Sequence, residues 1–378
     1  MPSDAPYRCW VEVSLGQIGT NFNAVRRAVG EGVETVPVVK ANACGHGAVP
    51  VSRFLTDSGA RWLAVASAEE GATLRAAGIP ARILVMADSV DRRMFDFNLT
   101  PVIHSLQGIR EWDRQLHECF PKADGRYHLK IDTGLWRLGT RASADEIAAA
   151  VRSCVRARLE GLMTHFASAG DYASSQTDDQ TSRFLEMVDQ LSARGITTDY
   201  RHLSGTVAVA YGRESAWQNM VRTAHAIYGY IAPACGPDAP APILEVKPAL
   251  AWKARILEVK EVPEGAAIGY RGTFRAPGRL RIAILAAGYA DGIPHQLANR
   301  GQVIAAGKIT RMLGAIAMDM TAVDITHAAH LQPGDSVTLL GREGHTCLDA
   351  QQIGHLAGTS SYAILCGIGA RVARVYVE

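Results

Sequence analysis

The chain has 378 residues, nearly half of them apolar and a fifth charged, a globular balance too long for one small core. A formal net charge of +2 gives no electrostatic footing for nucleic acid or an anionic membrane, and no apolar run reaches bilayer-spanning length. Seven scattered cysteines without a C-x-x-C pair argue against a disulfide framework and a zinc cluster. The opening MPSDAPYRCWVEVSL lacks the basic-then-apolar order of a secretion signal, so the cytoplasm is the expected compartment.

Taken in chain order, YRCWVEVSL reads as a strand, and from about residue 33 to 230 apolar runs alternate with helical patterns. The strand-like runs are TVPVVKA (35–41), WLAVAS (62–67), RILVMA (82–87), TPVIHS (100–105), YHLKID (127–132), GLMTHF (161–166), DYRHLS (199–204) and RTAHAIYG (222–229). Between them Ser143 and Glu146 fit a capping box ahead of Ile147, Val151 and Val155, and Phe184, Met187, Val188 and Leu191 form a second apolar stripe closed by Gly195. Eight β-then-α repeats predict a closed (β/α)8 barrel over 12–240. The proline- and alanine-rich ACGPDAPAPILEVKPAL then marks a junction. The short β-rich segments beyond it predict a smaller all-β domain over 241–378, with residues 1–11 expected to pair with it.

Catalytic groups of such barrels gather at the C-terminal ends of the strands. The first strand ends at Lys40, followed at once by small residues in VVKANACGHG. The fifth presents Lys130 and Asp132 on one face, with Arg137 in the loop beyond. The sixth ends at His165, the seventh at Ser204-Gly205, and the eighth carries Arg222 and Tyr228. So much cationic charge at one mouth calls for anions. A helix starting after Ser204 would favour a phosphate, although a plain N-cap is the common reading of such a serine. Lys130 and Asp132 read equally as an ion pair, and a lone His165 as a satisfied core residue. Cys44 and His46 have no further ligands nearby, so no metal is expected. A lysine desolvated among cations has a lowered pKa and can form an imine with an aldehyde. Aldehyde, phosphate and lysine together point to pyridoxal 5′-phosphate (PLP).

VVKANACGHG, HLKIDTGLWRLG, GLMTHFAS, GYADG, AMDM and SSYAILC…RVARVYV, in this order and spacing, resemble the alanine racemase family over nearly the whole chain. The resemblance implies PLP on Lys40, and Lys40 and Tyr270 as proton-transfer groups on opposite faces of the substrate, with Tyr270 reaching in from the other subunit of a homodimer. It implies His165 and Arg222 polarising Tyr270, with Arg222 also facing the pyridine nitrogen. Arg137 would meet the substrate carboxylate and the cofactor's phenolic oxygen, and Lys130 would be a candidate for carbamylation. Ser204, the backbone at Ala224 and His225, and Tyr362 would bind phosphate. The Met318 backbone would meet the substrate carboxylate, Asp319 would support the site and Tyr289 would line the entrance. The implied reaction is two-base interconversion of L- and D-alanine for wall peptidoglycan or amino-acid catabolism. The alternatives are racemisation of another amino acid such as serine, or cleavage at the α carbon. Departures from the family pattern are Cys44 in place of a tyrosine, Leu203 and Thr206 around Gly205, Thr223 and His225, Trp136 in a small or polar position, and Ala317 in place of a cysteine.

Overall fold

The computed structural model describes residues 7–377. Residues 1–6, part of the segment expected to pair with the β-rich domain, lie outside the described residues. The chain divides into two compact units. One comprises Ile18–Ala43 and Ala48–Lys247; the other comprises the segment up to Gln17, Cys44–Gly47 and the chain from Pro248 onward.

Strand β1 (Cys9–Ser14) belongs to the second unit, and the first is built on β2 (Glu34–Pro37), β3 (Trp62–Val65), β4 (Arg82–Val85), β5 (Thr100–Ile103), β6 (Arg126–Lys130), β7 (Arg158–Met163), β8 (Tyr200–His202) and β9 (Met220–Thr223). Strands β3 to β8 pair in parallel in sequence order, and β2 pairs in parallel with β9. Two seams close the ring: Val38 bridges Ala64, and the Arg222 N–H donates to Ser204 O at 3.0 Å. The result is the eight-stranded barrel the alternation predicts. Its interior is packed by Val36, Val38, Trp62, Ala64, Leu84, Val102, Met163 and Met220, side chains that leave no pore. Helices flank the strands where caps start them. Ser143 and Glu146 form the expected capping box on the helix Ala144–Arg152, and the Ser105 hydroxyl caps Leu106–Glu118.

In the second unit, β10 (Leu250–Val262) alternates Leu250, Trp252, Ala254 and Ile256 inward, the period of a half-buried strand. A bulge between Ile256 and Glu258 re-aims it. β11 (Ala267–Ile268) and β12 (Phe274–Arg275) make a small hairpin. β13 (Leu280–Leu285), β14 (Gln302–Ala305), β15 (Lys308–Leu313), β16 (Thr321–Asp324), β17 (Ser336–Glu343), β18 (Thr346–Leu348) and β19 (Ala373–Val377) complete a nine-stranded sheet in the order β18-β17-β14-β15-β16-β13-β10-β1-β19. The strand expected at the chain start is β1, antiparallel to β10 and parallel to β19.

Several expected boundaries move. Val155 is no part of the helical stripe: the helix stops at Arg152 and Val155 is exposed. The barrel strands end before the functional positions, β2 at Pro37 rather than residue 41 and β9 at Thr223 rather than 229. Apolar periodicity continues through those turns because the turns are themselves buried, and it cannot distinguish a strand from a packed loop.

Candidate active site

Beyond β2 the backbone does something only glycine does cheaply. Ala41, Asn42, Ala43 and Cys44 all take left-handed conformations, with φ of 52°, 53°, 54° and 49°. Each costs about 1–2 kcal/mol for a residue with a Cβ. Surrounding bonds offset that cost. The Ala43 N–H donates to Val39 O at 2.8 Å, and Asn42 Oδ1 accepts the Ala48 N–H at 2.8 Å. The Glu70 carboxylate takes the N–H groups of Ala41 (2.7 Å) and Ala66 (2.8 Å), tying two strand ends together. The Tyr228 hydroxyl donates to Val38 O at 2.9 Å. Lys40 therefore stands at the start of a pinned turn. It is exposed rather than desolvated, against the sequence expectation, because the turn lifts it clear of the barrel wall.

Lys40 shares the mouth with Lys130, Arg137 and Arg222. Their joint field shows in their neighbours. Burial first, then Arg222, Lys130, Arg137 and Lys40, push His165 down to about 3. Burial, then Arg137, Arg222 and Lys40, push Lys130 down to about 8, against the opposing pull of Asp132. Among the described residues, Lys40, Lys130 and Arg137 make no ion pair or side-chain hydrogen bond. The alternative reading of Lys130 and Asp132 as an ion pair finds no such bond among the described residues. One Asp132 oxygen accepts the N–H groups of Gly134, Leu135 and Trp136, each at 3.1 Å, and the other lies 3.7 Å from Arg141.

Arg222 is built in differently. It is buried and donates to His202 Nδ1 (2.7 Å), His202 O (2.9 Å), Thr164 O (2.8 Å) and Leu203 O (3.1 Å), with His165 Nδ1 at 3.4 Å. Burial lowers its pKa, yet neutral acceptors surround it and, among the described residues, no carboxylate pairs with it. Because arginine only donates, His202 Nδ1 must carry a lone pair, and its proton sits on Nε2. That nitrogen lies 2.7 Å from His128 Nδ1, which must accept in turn. The His128 proton then sits on Nε2, 3.4 Å from Glu160 Oε2 and poorly aligned, the loosest link of the series. Glu160 receives two bonds from Arg82 (2.7 and 2.8 Å), whose guanidinium stacks 3.9 Å from the Trp62 ring centroid. Burial would raise the Glu160 pKa, but the bonds from His128 and Arg82 hold it near 2. Burial, foremost, keeps both imidazoles neutral.

Of the phosphate candidates, the Ser204 hydroxyl donates to Ala216 O at 2.8 Å. The short helix Thr206–Ala210 starts from Gly205, with no side-chain cap bond. The Thr206 hydroxyl accepts the N–H groups of Ala224 (3.1 Å) and Ala226 (3.3 Å), so Thr206 shapes the turn that carries Ala224 and His225. His225 is fully buried, its ring tilted at 47° to Tyr230 with centroids 5.4 Å apart.

The second unit carries the remaining expected residues. Tyr270 sits on the β11–β12 turn, 71% exposed. Gly269, Arg271 and Gly272 there have φ of 75°, 62° and 55°, a tight turn that projects the ring outward. A Cβ on Gly269 would meet Ala315 N at 3.2 Å, and one on Gly288 would meet Ala317 O at 2.2 Å, so both glycines let backbone pass close. The Tyr289 N–H donates to Ala317 O (3.0 Å) and the Ala290 N–H to Met318 O (3.0 Å). Arg371 bridges Asp291 and Asp319, each at 2.7 Å. Tyr270, Tyr289, Met318 and Asp319 thus share one braced surface. Tyr362 is pushed up to about 12 by burial, then by the charges of Cys44 and Cys366, which places Cys44 in its neighbourhood.

Glu70, His128, Glu160 and His202 support the site without being singled out by the sequence reading above. The signal was present: His128 and Lys130, Glu160 and Leu162, and His202 and Ser204 are period-two pairs whose first member is polar inside an apolar barrel strand.

The alanine racemase N-terminal domain family model matches residues 13–232, and the C-terminal domain model matches 249–376. An alanine racemase of Carboxydothermus hydrogenoformans is 37% identical over 372 residues, covering 97% of this chain and 99% of the relative. The crystal structure of alanine racemase from Streptomyces lavendulae superposes with a TM-score of 0.90 at 32% identity, covering 99% of this chain and 98% of that one. The alanine racemase structure from Bacillus anthracis, described with bound L-Ala-P, gives 0.89 at 30% identity, with 99% and 96% covered. By sequence and by architecture the chain belongs to the alanine racemase family.

Proposed function

We propose that the chain interconverts L- and D-alanine with PLP attached to Lys40, as a cytoplasmic homodimer in which Tyr270 completes the partner's site. One observation carries the reading: Lys40, Lys130 and Arg137 lie together at the barrel mouth with no ion-pair partner among the described residues. Such a cluster is costly unless anions fill it, and a phosphorylated cofactor with a carboxylate substrate supplies two. The residues therefore fit PLP. Once bound, the cofactor withdraws electrons from the substrate and acidifies its Cα–H.

The chain's own groups do the rest. Lys40 Nζ and Tyr270 Oη exchange a proton with Cα from opposite faces. Such acid–base catalysis contributes about 10²–10⁴-fold. Arg137, exposed and unpartnered, is available to hold the carboxylate and the phenolic oxygen. Arg222, caged by carbonyls and imidazoles, is a fixed donor, so the nitrogen it faces must accept. His165, with Nδ1 turned to Arg222 and its pKa near 3, stays neutral and offers Nε2–H as a donor to the tyrosine oxygen. The helix start at Gly205, with Ser204, the turn at Ala224 and His225, and Tyr362, supports a phosphate site. A contact from the Ser204 hydroxyl would require it to leave Ala216 O. The Met318 backbone, braced by Asp319 and Arg371, supports the carboxylate, and Tyr289 lines the entrance. Lys130, at a pKa of about 8, presents enough neutral amine near pH 7 to add carbon dioxide, and the carbamate would place a negative charge beside Arg137. The exposed Tyr270, Tyr289, Met318 and Met320 support a dimer contact. A supply of D-alanine suits cell-wall synthesis.

The test is incubation with L-alanine and, separately, L-serine in D2O, following Cα–H loss and enantiomer composition. The expected outcome is racemic, Cα-deuterated alanine. Faster turnover of serine, or release of a one- or two-carbon fragment, would assign the site to one of the alternatives.

A further inference from the structure

The loop 132–140 carries Arg137, and its base is closed by the backbone. The Asp132 N–H donates to Thr140 O and the Thr140 N–H to Lys130 O, both at 2.9 Å. Gly139 passes so close beneath that a Cβ there would lie 2.8 Å from Asp132 N. At the loop's far end stands Trp136, whose φ of +57° is a left-handed conformation that a bulky residue rarely accepts. Its indole is 74% exposed, so burial does not explain the strain. Three contacts converge on it. Asp132 Oδ1 accepts the Trp136 N–H at 3.1 Å, Asp132 Oδ2 lies 3.7 Å from Arg141 Nη1, and the Arg141 guanidinium lies 4.0 Å from the Trp136 ring centroid. Asp132, Arg141 and Trp136 thus form a closed triangle, and Arg137 lies on the segment it spans. Arg137 itself has no bond to hold it among the described residues.

We propose that Trp136 and Arg141 are positioning residues: their stacking, anchored on Asp132, clasps the loop and fixes the direction in which Arg137 is presented. The cationic stack is compatible with this placement, because a cation–π contact remains favourable even at an exposed site. A glycine at 136 would relax the left-handed strain and lose the stack. The two effects oppose each other, so global stability barely moves while the loop loosens. The proposal rests on the reading of Arg137 as the carboxylate ligand, and the experiment separates the two.

Trp136→Gly, Trp136→Phe, Arg141→Ala and Arg137→Ala are compared with the wild-type holoenzyme in four measurements: KM and kcat for L-alanine, amide hydrogen exchange at 134–138, urea unfolding and dimer dissociation. The clasp predicts faster exchange at 134–138 in Trp136→Gly and Arg141→Ala, with KM raised about tenfold, kcat changed less, and the unfolding midpoint nearly constant. Trp136→Phe, which keeps an aromatic face for Arg141, restores both exchange and KM. Unchanged exchange in Arg141→Ala would overturn the clasp. So would a raised KM in Arg137→Ala with none in Trp136→Gly, which would leave the carboxylate reading intact. A shift only in dimer dissociation would make Trp136 a subunit contact instead and would also overturn the clasp. An unchanged KM in Arg137→Ala would remove the carboxylate reading and the proposal together.

Discussion

The floor and the rim of the barrel solve opposite problems. On the floor, Arg222, His202, His128, Glu160 and Arg82 form one buried series in which each proton position follows from its neighbour, and a charged group stands at each end. At the rim, Lys40 and Arg137 stand exposed, without a side-chain partner among the described residues, next to backbone held in left-handed conformations at Ala41–Cys44 and Trp136. The floor's polar groups bond mainly to one another, the His128–Glu160 contact being the loosest link, and only Arg222 at its upper end faces the site. The rim is held in place by bonds to its backbone, so that its charged side chains remain available. A group that must bind or react is kept out of internal bonds, and the elements beneath it carry the cost.

Substitutions on the two sides sharpen that contrast. The largest effect belongs to the rim: Lys40→Ala abolishes turnover and Tyr270→Ala reduces it by about 10²–10⁴-fold. If the sites are shared between subunits, mixing these two inactive variants under subunit exchange restores about a quarter of wild-type activity, since half the dimers then hold one complete site of two. Absence of recovery after demonstrated exchange would place Tyr270 in its own chain's site.

Next comes the floor. Glu160→Leu leaves Arg82 and the His128 proton without their carboxylate and should cost about 3–5 kcal/mol in urea unfolding, although it lies far from any substrate. A loss below about 1 kcal/mol would mean the series is not coupled. A one-methyl exchange then tests both regions with opposite sign. Gly161→Ala puts a Cβ 2.5 Å from His128 Nδ1 and should destabilise by about 1–3 kcal/mol. Ala41→Gly removes a Cβ from a left-handed residue and should stabilise by about 0.5 kcal/mol, the strain relief less the added entropy of the unfolded chain.

A further effect appears only in acid. His104, at the mouth, has both ring nitrogens buried without a partner; burial and then Lys130 push it down to about 4. Its folded pKa lies below the ordinary 6.5, so between those values the unfolded chain binds more protons and stability falls as pH drops from 6.5 through 4. His104→Gln should flatten that slope by about one proton, and an unchanged slope would show that His104 is hydrated in solution.

Much of this was legible before the fold was known. The eight β-then-α repeats gave the barrel because alternation reflects crossover packing directly. Lys40, Lys130, His165 and Arg222 were visible as polar residues at the ends of apolar runs. The left-handed turn after Lys40 was not, because alanine, asparagine and cysteine carry no sequence mark of positive φ. That conformation is imposed by Glu70 and Val39 from outside the segment. The floor series was hidden for a related reason: His128, Glu160 and His202 come from three strands, and only the closed ring sets them side by side. Whether Asp132 pairs with Lys130 was not legible, because shared parity fixes the face of a strand but not which partner a carboxylate selects; backbone N–H groups two to four residues ahead selected it instead.

Everything proposed for the site depends on one amine, exposed on a pinned turn, holding the cofactor. Borohydride reduction of the PLP-loaded protein followed by peptide mapping by mass spectrometry tests it directly. A single stoichiometric pyridoxyl adduct is expected on the peptide containing Lys40, absent in Lys40→Ala. An adduct on Lys130 or another lysine, or retention of the label in Lys40→Ala, would contradict it.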